Sequence, residues 1–544
     1  MPCARIRRRA RLTGQIALGE NGAAMNRSRS LEIGGFVAVL VVGFVLRAVP
    51  VVSHAWPVGD GGLFYQMVGE IRANGLALPA TTTYDHAGIP FAYPPLALEL
   101  AAVLESVTGL ARADVFRWLP LAFATLCIPA VYLVVSELQP DRVRALFATL
   151  VYATLPFAWE WLTMGSGVTR SVGGFLALLA AWQGLRMYRE GRPVEVLATG
   201  ALAGLAVLSH PEAGPFVAIA LGARLIFEPS RRNLRNLVLA GVVGVVVIAP
   251  WVAVVAARHG LAPFAAAAGV GHDPVASLVV YAFGFFMVSP LPVAAVLDVL
   301  GQVRNVLSRR PFLVVWRFAL CFLDLRFALV AAVIPLSLLA SEGFFDVLVP
   351  AIRALAGGGS SSRAVSTHGW GWIVGLGSGA LLVSSLMAPG VFLAPHVALA
   401  AQDRAAMAWV RATQPPERKF LVLATDTWGS DDLSEWFPAL TGRASLDTSQ
   451  GLEWVAPHAR QAESDSEVQL RACQPAGLNC LEAWLAAHGG SDAAVYVPAD
   501  GSAYAVGEDP SRAIRTALLA SPAFRVVYEG PGAVILTFDA AQAA

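Results

Sequence analysis

Charge is what this chain is short of. Asp, Glu, Lys and Arg together make up 14% of its 544 residues, against about 25% in a typical soluble domain. Lysine is nearly missing, and Lys419 is the only one. Five cysteines are too few for a disulfide scaffold of the small secreted kind. No paired Cys-x-x-Cys zinc set, phosphate-cradling P-loop, dinucleotide fingerprint or serine nucleophile elbow occurs. A formal net charge of +1 gives no overall field that would draw nucleic acid. These absences exclude an ordinary cytosolic enzyme, a disordered chain and a nucleic-acid binder. What fills the chain instead is apolar: 56% of the residues, with a mean hydropathy of +0.60. That is the composition of a polytopic membrane protein.

A helix needs about 20 mostly apolar residues to cross a bilayer. Eleven segments are read as spans: 33–52, 117–136, 145–161, 171–188, 194–209, 213–228, 236–256, 277–298, 311–323, 327–341 and 370–388. Arginine in short loops sets their direction. Arg5, Arg7, Arg8, Arg9, Arg11, Arg27 and Arg29 precede the first span, and Arg recurs in alternate loops at 142 and 144, at 186, 189 and 192, at 231, 232 and 235, at 304, 309 and 310, and at 353 and 363. The N-terminus is therefore read as cytoplasmic, in a cytoplasmic (plasma) membrane, and everything after 389 as outside. Residues 1–24 read as sequence upstream of a second start at Met25, and Ser53-His54-Ala55 also fits a signal-peptide cleavage site.

Three regions follow: a cytoplasmic segment 1–32, a membrane module 33–389, and an extracytoplasmic α/β domain 390–544. In the last, charge rises and long apolar runs stop. Lys419–Thr425, Ala493–Pro498, Arg525–Tyr528 and Ala533–Thr537 read as strands, and Gln402–Thr413, Asp431–Leu440, Leu481–His488 and Ser511–Ser521 as helices. Cys473 and Cys480 form a disulfide if the region faces an oxidising compartment, and are two free thiols otherwise.

The chemistry gathers in the first outer loop, Ser53 to Phe116. It opens on His54-Ala55-Trp56-Pro57-Val58-Gly59-Asp60-Gly61-Gly62 and later carries Tyr84-Asp85-His86 and Tyr93-Pro94-Pro95-Leu96. The run Leu96–Val107 is too short to span, and its Glu99 and Glu105 fit a helix lying at the interface. Asp60 stands just beyond the first span. A carboxylate at a membrane boundary is costly unless paired or wet, which makes function its default reading. Glycines around it allow a tight turn or a ligand's approach. The alternative is a cap for the helix starting near Gly62.

An Asp just after the first span, a long first outer loop, and Tyr93-Pro94-Pro95-Leu96 ahead of an interfacial helix resemble the GT-C glycosyltransferases. Among these the chain is most similar to protein O-mannosyltransferases, aminoarabinose transferases and the bacterial RgtA/B/C/D-like group. It departs from them in one respect: many carry an acidic pair after the first span, whereas Gly61 follows Asp60. The resemblance implies transfer of a sugar from a polyprenyl-phosphate donor to an acceptor hydroxyl on a glycan, lipid or protein outside the membrane. Asp60 would be the general base, and arginines would hold the phosphate. Arg170, Arg326 and Arg117 match arginines of the family, although Phe175 stands where O-mannosyltransferases have an Asp after the first of these. Tyr93 and Pro94 would shape the donor pocket. No cofactor is implied, and a divalent metal has no support in the sequence.

Three clusters remain open. Ser209-His210-Pro211-Glu212 fits substrate binding, a proton relay or metal ligation by His210 and Glu212, or equally a tight turn starting a helix. Asp85-His86 fits a dyad or a turn. His272-Asp273, in the fourth outer loop, stands where relatives cover the donor. In the tail, Thr425-Asp426-Thr427-Trp428 and Glu435-Trp436-Phe437 fit a glycan platform or a packed core. The rival readings are a transporter and a non-catalytic anchor presenting a glycan-binding outer domain.

Overall fold

The computed structural model describes residues 30–268, 274–287, 289–323, 325–356, 367–388, 398–423, 432–490, 492–498 and 510–538. His272, Asp273 and Thr425–Trp428 lie outside these. The first part is helical: α1 (Ser30–Val52), α2 (Gly62–Ala73), α3 (Leu96–Thr108), α4 (Arg112–Leu138), α5 (Arg142–Thr154), α6 (Gly167–Glu190), α7 (Pro193–Ser209), α8 (Ala213–Phe227), α9 (Arg231–His259), α10 (Pro274–Met287), α11 (Val293–Leu307), α12 (Phe312–Ala319), α13 (Leu325–Glu342) and α14 (Thr367–Leu386). Four described helices are long and apolar enough to cross a membrane: Ser30–Val52, Arg112–Leu138, Arg231–His259 and Phe327–Leu355. Shorter apolar helices stand beside them, α7 and α8 among these.

Three of the expected spans are corrected, two of them at proline. The segment 145–161 stops at Thr154, because Pro156 opens a separate 3-10 turn, Pro156–Ala158. The segment 277–298 is two helices, α10 and α11, with Pro290 and Pro292 between them. Proline has no N–H to give and its ring clashes with the preceding turn. The segment 327–341 instead runs longer than expected. It continues from α13 through a π-helical stretch, Gly343–Leu348, into Val349–Ala356. Its polar edge is fastened by Arg304, which reaches Glu342 at 3.1 Å and Asp346 at 2.9 Å, and by Arg144, which reaches Asp346 at 2.7 Å.

The later part adds helices α15 (Ala401–Thr413), α16 (Asp432–Thr441), α17 (Ala459–Ala476), α18 (Leu478–Ala487) and α19 (Pro510–Ala520). They surround a sheet of β1 (Phe420–Val422), β2 (Ala494–Pro498), β3 (Phe524–Glu529) and β4 (Ala533–Phe538), in the order β1-β2-β4-β3. β1 runs parallel to β2; β4 is antiparallel to both β2 and β3. The period of two divides the sheet's side chains cleanly. Phe420, Val422, Tyr496 and Ile535 pack with Met407, Val410, Trp436 and Phe437 on one face. Leu421, Val495, Val497, Val534 and Leu536 pack with Leu470, Leu481, Trp484 and Leu518 on the other. α17, a helix not expected from the sequence, carries Cys473, bonded to Cys480 of α18.

The two parts share a core. Trp56 and Tyr65 of the first loop pack into the cluster built around Phe420 and Trp436, with Trp56 and Trp436 ring centroids 5.3 Å apart. A Cβ built on Gly62 would sit 1.9 Å from the carbonyl oxygen of Glu435 in α16. Gly62→Ala should therefore push α2 off α16 and cost about 1–3 kcal/mol, the usual penalty for overpacking. Gly34→Ala, which meets nothing within 4 Å, should not. Thermal unfolding of the two purified variants separates them.

Candidate functional site

The first loop meets the second through backbone. The N–H of Gly165 donates to Val58 O, and that of Ser166 to Asp60 O, each at 2.8 Å. This pairing needs glycine at 165, where a Cβ would lie 2.5 Å from the Asp60 carbonyl oxygen. It also brings side chains together. Ser166 Oγ donates to Asp60 Oδ1 and accepts from Arg170 Nη1 at 3.0 Å. Asp60 and Arg170 are 4% and 7% exposed. The result is a buried relay, Asp60–Ser166–Arg170, with the guanidinium 5.7 Å from the Trp161 ring centroid.

A second chain of bonds lies on the same helix start. Tyr93 Oη bonds Thr169 Oγ1 at 3.0 Å and His210 Nδ1 at 2.9 Å. His210 ends α7 and its ring lies 5.0 Å from that of Phe327. Ser166, Thr169 and Arg170 stand at i, i+3 and i+4, which places them on one face of the first turn of α6. Pro94 is buried two residues ahead of α3, just before its N-cap, Pro95. Glu212 is half-buried and sits at the N-cap of α8. Arg326 falls in the first turn of α13. Among the described residues no three His, Cys, Asp or Glu side chains come together as a metal site.

Several expected roles change. Arg117 does not face this cluster. It donates to Val51 O at 3.1 Å and His54 O at 2.6 Å and pairs with Asp114 at 3.0 Å, so it caps the C-terminus of α1, where a cation is favoured. Asp85 and His86 form no dyad. Asp85 Oδ1 accepts the Ser445 N–H at 2.6 Å, and His86 Nε2 bonds Gly442 O at 3.1 Å, so both dock the first loop onto the later part. Glu435, Trp436 and Phe437 are at most 1% exposed and form core, not a glycan platform. The Asp60 glycines serve backbone packing: Trp436 Nε1 donates to Gly59 O at 2.9 Å, and Glu435 O occupies the space beside Gly62. Ser166 and Thr169 are site residues that the sequence did not single out. Their only signal was spacing ahead of Arg170.

Residues 92–254 match the family model described as dolichyl-phosphate-mannose-protein mannosyltransferase. The fold matches Archaeoglobus fulgidus oligosaccharyltransferase AglB in complex with an inhibitory peptide and a dolichol-phosphate, with a TM-score of 0.58 and 14% identity over 86% of this chain and 70% of that one. It matches Cupriavidus metallidurans ArnT in the apo state, with a TM-score of 0.56 and 16% identity over 95% and 99% of the two chains, and the same protein bound to undecaprenyl phosphate, with a TM-score of 0.53. The chain has the GT-C glycosyltransferase fold. Mycobacterial arabinofuranosyltransferase AftD matches too, with a TM-score of 0.55 and 15% identity, over 93% of this chain and 40% of AftD. No curated protein matches the chain by sequence. As a GT-C fold with long apolar helices, it is a multi-pass membrane protein.

Where the first loop docks on the later part, carboxyls crowd. Burial pushes Asp447 up to about 7, Glu463 to about 7 and Glu467 to about 8, and raises Asp85 as well. Arg471, 3.8 Å from Glu467, is the cation beside them. In the unfolded chain these groups titrate near 4. The folded form thus holds more protons between about 4 and 8, and its stability falls as pH rises through that window. The melting temperature should drop by several degrees from pH 5 to pH 8. Asp447→Asn should flatten the dependence, as read by thermal scans across pH.

Proposed function

We propose that the protein transfers a sugar from a polyprenyl-phosphate donor to an acceptor hydroxyl at the outer face of the cytoplasmic membrane, with inversion at the anomeric carbon. The observation that carries this reading is the Asp60–Ser166–Arg170 relay on a GT-C fold. An acceptor hydroxyl must lose its proton as it attacks, and a positioned carboxylate takes it. The transition state is oxocarbenium-like, and the same negative charge stabilises it. Attack on the face opposite the departing phosphate inverts the configuration.

The leaving phosphate needs cations and N–H donors more than a proton. Arg170 presents a guanidinium, and the start of α6 adds a positive dipole end suited to an anion. Arg326, in the first turn of α13, is assigned to the same group by the family resemblance. Ser166 Oγ bonds both Asp60 and Arg170, so base and phosphate ligand are held in register. Tyr93 and His210 bound the donor's sugar side through their shared hydrogen bond. Burial of the site favours lipid delivery, because a polyprenyl chain can present its head group laterally from the bilayer. ArnT bound to undecaprenyl phosphate and AglB with a dolichol-phosphate support a donor of this kind. The acceptor is a glycan, lipid or protein hydroxyl.

Asp60→Asn should cut transfer by at least about 10²–10⁴, the usual contribution of a general base, while the protein still inserts in the membrane and melts normally. Purified enzyme with a panel of polyprenyl-phosphate sugars reads this directly. Turnover by the Asn variant at the unaltered rate would remove Asp60 from the role of base. Arg170→Ala should raise the donor KM, with Lys restoring only part of the affinity because it lacks the planar fork.

A further inference from the structure

Arg47 is fully buried in α1, 13 positions before Asp60. A guanidinium inside a membrane helix is expensive unless satisfied, and no carboxylate pairs with it among the described residues. Carbonyl oxygens take that place. Nη1 donates to Ala153 O and to Gly43 O, each at 2.9 Å, and Nε donates to Ala124 O at 3.2 Å. The cation lies 5.7 Å from the Tyr152 ring centroid, while Nη2 has no hydrogen-bond partner. One side chain thus ties α1, α4 and α5.

The Ala153 contact has a particular logic. α5 ends at Thr154, and Pro156 brings no N–H to its last turn. Orphan carbonyls at a buried helix end must find donors elsewhere. Val151 O receives the Leu155 N–H, Thr154 O receives Ser385 Oγ at 2.6 Å, and Ala153 O receives Arg47. From this end the chain runs through the short turns Pro156–Ala158 and Glu160–Thr163 to Gly165 and Ser166. From Arg47, α1 runs on to the segment Val58–Asp60. These two segments then meet in the backbone pairing that delivers Ser166 to Asp60.

We infer that Arg47 is a positioning residue for this site: its guanidinium bolts the outer end of α1 to the C-terminus of α5 and so sets the height of Asp60 against Ser166. The inference rests on Asp60 being the base, and deepens that reading by naming what holds the base in place. Arg47 touches neither substrate nor the reacting atoms. A displacement of about 1 Å in such a register costs on the order of 10²-fold in rate.

The test uses the full-length protein in membranes or nanodiscs with a polyprenyl-phosphate sugar donor. Arg47→Gln should lower kcat by about 10–100-fold and leave the donor KM within about threefold. Arg47→Lys should recover part of kcat, because it keeps a charge-assisted donor for the helix end. Ser385→Ala removes a cap from the same helix end without touching α1, and should lower the melting temperature while kcat stays unchanged. A readout independent of turnover accompanies these. In the double variant Asp60→Cys/Ser166→Cys, mild oxidation should link the two positions quickly. Adding Arg47→Gln should slow that linkage, and adding Arg47→Lys should restore it. Wild-type kcat in Arg47→Gln, equal kcat losses in Arg47→Gln and Ser385→Ala, or linkage unaffected by Arg47→Gln would each overturn the inference. If the wild-type chain transfers no sugar from any donor, the Asp60 reading fails on its own, and the linkage rates alone still decide whether Arg47 sets the register.

Discussion

The site depends on one backbone pairing, that of Val58 and Asp60 with Gly165 and Ser166. Two loops from different parts of the helical bundle are brought close enough for main-chain hydrogen bonding. No side chain at 165 could stand in that gap. The contacts around Asp60 follow from it. Ser166 reaches Asp60 because their backbones are in register, and Arg170 and Thr169 follow because they are one turn further along the same helix. A carboxylate and a guanidinium close in an apolar surround attract strongly. Here they stand on separate backbone segments, and one hydroxyl, Ser166 Oγ, bonds both.

The later part of the chain is built into this arrangement. α16 contributes Trp436, which donates to Gly59, and the Glu435 carbonyl, which accepts from Tyr84 Oη at 2.7 Å. Gln450 Oε1 accepts the N–H of Leu63 at 3.1 Å, one of the orphan donors at the start of α2. The stretch containing Asp60 is therefore held on three sides: by α1 behind it, by the second loop beside it and by α16 and Gln450 in front. Burial of Trp436 and Glu435 at this contact is the physical reason the polar-aromatic run around them does not serve as an open platform.

How much of this was legible in the sequence varies with the range of the interaction. Composition and long apolar runs point to the membrane class, because they need no tertiary information. The strands around Ala494 and Ala533 and the helices around Met407 and Leu518 followed from local period. Breaks at Pro156 and at Pro290-Leu291-Pro292 were visible as residues, yet hydropathy averaged over them. Asp60, Tyr93, Arg170 and His210 stood out by type and placement, and the structure brings them to one end of α6. Ser166 and Thr169 did not stand out, since hydroxyls are common and their value here comes from partners 106 and 76 positions away. Asp85 and His86 looked like chemistry because they are adjacent, but what decides their role is a contact with residues more than 350 positions later.

The arginines show why type and placement were not enough. A guanidinium near the C-terminal end of a helix has ready partners in unpaired carbonyls and in the negative end of the dipole. Arg117 at the end of α1 and Arg47 at the end of α5 both sit this way, so each spends its bonded donors on the fold itself. Arg170 stands in the opposite position, one turn into α6, at the positive end of the dipole, where the N–H groups of Gly167 and Val168 are taken by Met164 O and Gly165 O. A cation there is disfavoured by roughly 0.3–1 kcal/mol when exposed, and by more when partly buried. An anion arriving at the same place reverses the sign, because it is attracted by the guanidinium and by the helix start together. Arg326 occupies the corresponding first turn of α13. The polarity of the helix end, more than the presence of Arg at a span boundary, is thus what distinguishes Arg117 and Arg47, which tie helix ends together, from Arg170.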